Sequence, residues 1–207
     1  MQEELNQKDV SKRFFKAIES AIGSEMTQRV LNRYIEIRKS FQMPENPYLR
    51  MHLQEGILPG LALYREICQT EPDQKIALEK TDKVLEFIAH SKRKQMKAFG
   101  NLPIIYPVLR VYIKYEMKRY PSCGWQTEWK ENSPEAIRFD MHSCFYQDTL
   151  TNLGAPELTA SFCKLDDFVY SDKSPYLIWQ RTKTIGRGDD LCDFCFLNAK
   201  RIPSTQA

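Results

Sequence analysis

The spacing of apolar residues changes character after Pro121. Upstream, Phe14, Ile18 and Ile22 recur every four residues, Gly23-Ser24 interrupts them, and Met26, Val30, Tyr34, Ile37 and Phe41 resume the pattern. That repeat lines up one helical face, so two amphipathic helices are expected. Gln42 to Pro47 is a proline-containing connection, Leu58 to Ile67 supplies another apolar helix, and Thr70-Glu-Pro-Asp73 starts one carrying Ala77, Leu78, Val84, Leu85 and Ile88. Ile104 to Tyr120 reads as a long buried helix with Pro107 in its first turn, and Tyr106, Tyr112 and Tyr115 as core and rim packing. Downstream the pattern alternates. Gly124 to Lys130 and Ala136 to His142 read as strands around Asn132-Ser-Pro134, with Ile137, Phe139 and Met141 on one face and Arg138, Asp140 and His142 on the other. A helical pattern returns at Cys144, Pro156-Glu157 starts a short helix with Leu158, Phe162 and Leu165, and Tyr176 to Asn198 closes as a hairpin. The expected fold is α+β: an N-terminal helical layer, then a small four-stranded, mainly antiparallel sheet with an inserted helical pair.

At 207 residues the chain suits one domain, mainly helical over 1–120 and sheet-containing over 121–200, with a tail at 201–207. Its 30 basic and 27 acidic side chains mix the surface signs, so neither a nucleic acid nor any other acidic partner is required. The basic run Lys92-Arg-Lys-Gln-Met-Lys97 is expected to be a solvated helix face. Six scattered cysteines in a chain too large to need disulfide staples, an acidic, amide-rich start and no apolar segment of membrane length point to the cytoplasm with reduced thiols. No feature bears on the oligomeric state.

Most of the chemistry-bearing side chains crowd into Arg181-Thr-Lys-Thr-Ile-Gly-Arg-Gly-Asp-Asp-Leu-Cys-Asp-Phe-Cys-Phe196, two alternating runs around a Gly/Asp-rich turn. Together with Ile57-Leu-Pro-Gly-Leu-Ala-Leu-Tyr-Arg65, Cys144-Phe-Tyr146, Leu153-Gly-Ala-Pro-Glu-Leu158 and Phe162-Cys-Lys-Leu-Asp-Asp167, it resembles the L-2-amino-thiazoline-4-carboxylic acid hydrolase family. The resemblance implies a hydrolase that opens a small cyclic amidine, bonded to nitrogen and sulfur, toward an N-carbamoyl-cysteine type product. Such chemistry calls for a nucleophile, an acid/base and a group that fixes the substrate.

Cys144, where a strand enters a helix, is the leading nucleophile, its alternative being a small buried apolar residue. Cys163 lies three residues before Asp166, so the two share a helix face; Asp166, beside the like charge of Asp167, is a candidate proton-transfer group. His52, just before the Ile57 to Arg65 stretch, is a second candidate acid/base. Arg181 suits a substrate carboxylate through its two-donor fork, or else a salt bridge, with Asp193 as partner. Cys192 and Asp193 complete the expected substrate-binding set. Gly186 and Gly188 are read as turn residues. Cys192 and Cys195 spell C-x-x-C, but alternate strand positions point to opposite faces, so no metal site is assigned. No cofactor is expected. Two other classes stay open: a small-ligand-sensing domain that uses the same residues without catalysis, and a metal-dependent hydrolase.

Overall fold

The computed structural model describes residues 12–202. Helices come first: α1 (Lys12–Ile22), α2 (Ser24–Ser40), α3 (Pro47–His52), α4 (Leu58–Thr70), α5 (Gln74–Gly100) and α6 (Ile105–Met117). Strands β1 (Thr127–Asn132) and β2 (Ala136–Met141) follow, then α7 (Phe145–Asn152) and α8 (Thr159–Tyr170), then β3 (Leu177–Gln180) and β4 (Cys192–Asn198). The boundaries follow local chemistry. Gly23 bends the chain between α1 and α2 at φ 81°, a backbone that side chains resist. Asn46 caps α3 by accepting from the Tyr48 and Leu49 N–H groups with Pro47 in the first turn, and Asp73 caps α5 through Lys75 and Ile76.

The sheet runs β1-β2-β4-β3 with every pairing antiparallel, so the expected α+β architecture, including the helical pair inserted before the last two strands, is the one observed. Pairing Ile137 with Phe196, Phe139 with Phe194 and Met141 with Cys192 puts these six on one face. The rings of Phe139 and Phe194 stack there at 4.9 Å. This face packs against Leu49, Ile105, Tyr106, Leu109, Ile113 and Trp125, while α1, α2, α4 and α5 build a second apolar core. Phe145 and Tyr146 touch both cores. That bridge places the start of α7 between the two cores.

Two expectations change. The helix of 104–120 is not buried all round: Tyr106 is 2% exposed, but Val108, Val111 and Tyr115 face outward, with Val111 71% exposed. Apolar spacing reports a helix, not how many of its faces find partners. Arg181 is not on a strand either, because β3 stops at Gln180 and the chain leaves through a loop with a single 3₁₀ turn at Ile185–Arg187.

Candidate functional site

A cavity of about 590 Å³ lies between the sheet and the helices. Phe139, Met141, Cys192, Phe194 and Phe196 form its sheet side; α3 contributes Tyr48 and His52, α6 Tyr112 and Glu116, and α8 Thr159, Phe162, Cys163, Asp166 and Tyr170. Cys144 and Tyr146 enter from the start of α7. The three thiols of the family-like segments, far apart in sequence, therefore meet at one site. Local geometry explains each. Cys144 is the extended N-cap of α7 (φ −139°, ψ 115°), Cys163 and Asp166 sit one turn apart on α8, and Cys192 alternates with Phe194 and Phe196 along β4.

His52 sits where α3 gives way to a π-helical turn, Leu53–Ile57, a local widening common at functional sites. Its Nδ1 lies 3.0 Å from the Tyr146 hydroxyl, while its buried Nε2 has no partner. When Nδ1–H donates to tyrosine, Nε2 is a bare base; when tyrosine donates, Nε2–H is a donor. Rings of Tyr48, Tyr120, Trp125 and Tyr146 surround it. Burial among them pushes its pKa down to about 4, against the opposing charge of Glu116, so the imidazole is neutral near pH 7. A neutral buried histidine makes stability fall with acid. Between its unfolded value of 6.5 and about 4 the unfolded chain binds a proton that the folded one refuses. The expected loss is up to about 3 kcal/mol, spread over that window and complete below it. His52→Phe should flatten this part of the urea-midpoint profile between pH 7 and 4; an unchanged slope would show that His52 does not titrate as a buried group.

The thiols are held protonated. Burial pushes Cys144 up to about 11, although the N–H groups of Gln147 and Tyr146 pull the other way, and pushes Cys192 up to about 12. Cys163 is raised by the same cause despite Arg181. Asp166 keeps 43% of its side chain accessible at the cavity it lines. Because solvation depends on more than the first contact, burial dominates and raises its pKa against the charges of Arg181 and Lys92.

Arg181 stands behind this carboxylate. Its side chain is 1% exposed and is not among the cavity-lining residues. Nη1 donates to Asp166 Oδ2 at 3.1 Å, Nη2 donates to the Cys163 carbonyl and lies 2.9 Å from Asp167 Oδ2, and the guanidinium packs on Trp179 and Phe194. The expected Arg181–Asp193 pair is not formed. Asp193 points to the other face of β4 and accepts from the Thr182 and Lys183 N–H groups and the Thr182 hydroxyl, anchoring the loop after β3. Burial works against its ionisation, but these three donors hold the carboxyl below the ordinary range. Strand alternation puts Cys192 in the cavity and excludes its neighbour. Asp167 is likewise committed, accepting from Trp179 Nε1 at 3.1 Å and Arg187 at 3.0 Å.

Gly188 is the turn glycine expected, at φ 94°, whereas Gly186 serves a different need. A Cβ on Gly186 would stand 2.9 Å from Cys163 Sγ and 3.0 Å from backbone atoms of Thr159 and Ala160. The loop thus rests directly on the first turn of α8, whose backbone cannot retreat. Gly186→Ala should cost about 1–3 kcal/mol, read as a lower urea midpoint; an unaltered midpoint would mean that the loop lifts freely.

Lys92, placed by charge alone on a solvated face, is exposed but lines the cavity. In the same run Arg93 binds Asp172 through two hydrogen bonds of 3.0 and 2.8 Å. Tyr146 was visible only as part of Cys144-Phe-Tyr146; its bond to His52 spans 94 residues and leaves no local signature. Cys192 lines the cavity while Cys195 packs with Ala136 and Leu197 on the opposite face, so the C-x-x-C pair does not converge. Among the described residues, the grouping with metal-ligand spacing is Glu128, Asp140 and His142. It is outside the cavity, and Lys130 already lies 2.7 Å from Glu128 and 3.4 Å from Asp140.

No curated protein and no solved structure matches the chain. The sequence model of the L-2-amino-thiazoline-4-carboxylic acid hydrolase family matches residues 50–196, a span that begins just before His52 and ends at the last cavity-lining position, Phe196. The chain belongs to the L-2-amino-thiazoline-4-carboxylic acid hydrolase family.

Proposed function

We propose that the protein hydrolyses a cyclic amidine, with Cys144 as nucleophile and His52 and Asp166 as proton-transfer groups. The observation that carries this is the placement of a thiol, a neutral imidazole and a carboxyl on one cavity, within the segment that defines the family. With its pKa near 11, only about one Cys144 in 10⁴ is thiolate at pH 7, so attack requires a base. The imidazole is a weaker base than the thiolate it would create, so no free thiolate–imidazolium pair forms. His52 Nε2 takes the thiol proton only as sulfur bonds to the amidine carbon, and returns it to the ring sulfur as the ring carbon–sulfur bond breaks. Water then attacks the same carbon, its proton passing through Asp166 to the departing Cys144 sulfur. One water is consumed, and the product carries a urea and a free thiol. Cys163 and Cys192 shape the wall beside Cys144; Arg181 holds Asp166 from behind.

Six unpaired thiols suit a reducing compartment, and we place the activity in the cytoplasm. No helix among the described residues is long and apolar enough to cross a membrane. The described residues 12–202 are taken as one domain because Phe145 and Tyr146 pack against both cores.

The test is incubation with aminothiazoline-4-carboxylate and a panel of cyclic amidines, followed by mass spectrometry. A gain of one water with release of a thiol is expected. Saturable binding without product would support the second reading, a ligand-sensing domain, which the protonated state of all three cavity thiols favours. Turnover abolished by chelator and restored by metal would support a metal-dependent hydrolase instead.

A further inference from the structure

We infer that the cavity is built for a cationic amidine joined to an aromatic or similarly flat apolar body, a ligand considerably larger than aminothiazoline-4-carboxylate. As a statement about the substrate this rests on the hydrolase reading; as a statement about the ligand it rests on the cavity alone.

Size is the first reason. Aminothiazoline-4-carboxylate has about nine non-hydrogen atoms and would fill roughly a quarter of the 590 Å³ available, whereas cavities of this volume ordinarily enclose drug-sized molecules. An apolar surface left in contact with water gains nothing from the ligand, so a nine-atom molecule would leave most of the potential binding energy unused.

Chemistry of the lining is the second. Trp125, Phe139, Tyr146, Phe162, Tyr170 and Phe194 all border the space, and aromatic faces attract flat apolar groups and cations alike.

Charge is the third. The cationic lining residues are Lys92, which is exposed, and Arg119, which is 48% exposed, lies over Tyr48 and is paired with Glu116. Arg181 is walled off. A carboxylate ligand therefore finds cations only at exposed side chains. Asp166 offers the opposite: Oδ2 is bound by Arg181, while Oδ1 accepts no hydrogen bond among the described residues. Two other polar atoms of cavity-lining residues, His52 Nε2 and Thr159 Oγ1, are buried without partners. An amidinium, flat and with donors on two sides, can give one hydrogen bond to Asp166 and another to Thr159 Oγ1, leaving His52 Nε2 free for the thiol proton.

Calorimetry with benzamidine and benzoate, two probes of nearly equal shape and opposite charge, tests the charge preference on the wild-type protein. Benzamidine should bind at least tenfold more tightly, and Asp166→Asn, if folded, should erase the difference. Equal or tighter binding of benzoate by the wild-type protein overturns the inference whatever the variant does. Turnover of 2-amino-4-phenyl-4,5-dihydrothiazole against aminothiazoline-4-carboxylate tests size. A tenfold or greater advantage in kcat/KM for the phenyl compound is expected. Equal or better turnover of the carboxylate overturns the inference while leaving the hydrolase reading intact. Tight benzamidine binding with neither ring opened would support the ligand class and reject hydrolysis of these rings.

Discussion

Cys144→Ser should fold normally and open the ring at least about 10²-fold more slowly, because an alcohol is far harder to ionise than a thiol. The position makes the variant clean. Cys144 is the N-cap of α7 with the N–H groups of Tyr146 and Gln147 close to its sulfur, and serine is among the best residues for that place. Any effect on helix stability should be neutral or favourable, so a loss of turnover cannot be blamed on unfolding. Ring opening would be followed by mass spectrometry and folding by thermal melting on the same preparation. Near-normal turnover by the folded variant would remove Cys144 from the role of nucleophile. Water would then be the attacking group, with His52 or Asp166 as its base, and Cys144 a wall.

Arg181→Met should lower stability by about 3 kcal/mol, the bottom of the range for removing one partner of a buried ion pair. The low end applies because Asp166 and Asp167 are 43% and 33% accessible and can be partly screened once the guanidinium is gone. For a chain of this size the melting temperature should fall by roughly 6–12 °C. Arg181→Lys separates this structural role from substrate anchoring. Lysine keeps a charge but cannot span Asp166, Asp167 and the Cys163 carbonyl with one planar fork. The expected result is a lower melting temperature with unchanged affinity for benzoate. Weakened benzoate binding at unchanged stability would restore Arg181 as a carboxylate anchor.

These expectations separate what neighbours along the chain decide from what distant contacts decide. Periodicity alone located α1, α2 and the β1–β2 pair, because a side chain's direction within a helix or strand depends on local backbone geometry. The same alternation correctly set Cys192 and Cys195 on opposite faces of β4. It also keeps Asp193 out of the cavity that Cys192 lines, so of these two expected substrate-binding residues only Cys192 borders it. Spacing along α8 likewise put Cys163 and Asp166 on one face.

Other features have no local cause. His52 stays neutral because Tyr146, Tyr120 and Trp125 arrive from far along the chain to strip its water. Lys92 belongs to the cavity because α5 passes beside α8, and its neighbour Arg93 is spent on Asp172. Gly186 is required by the closeness of α8, not by its own dihedral angles. The sequence by itself determined the element types, the family and the set of reactive side chains. Only the tertiary structure decided that Arg181 supports Asp166 and is walled off from the cavity, because desolvation and charge pairing depend on every group within several ångströms, whatever its distance along the chain.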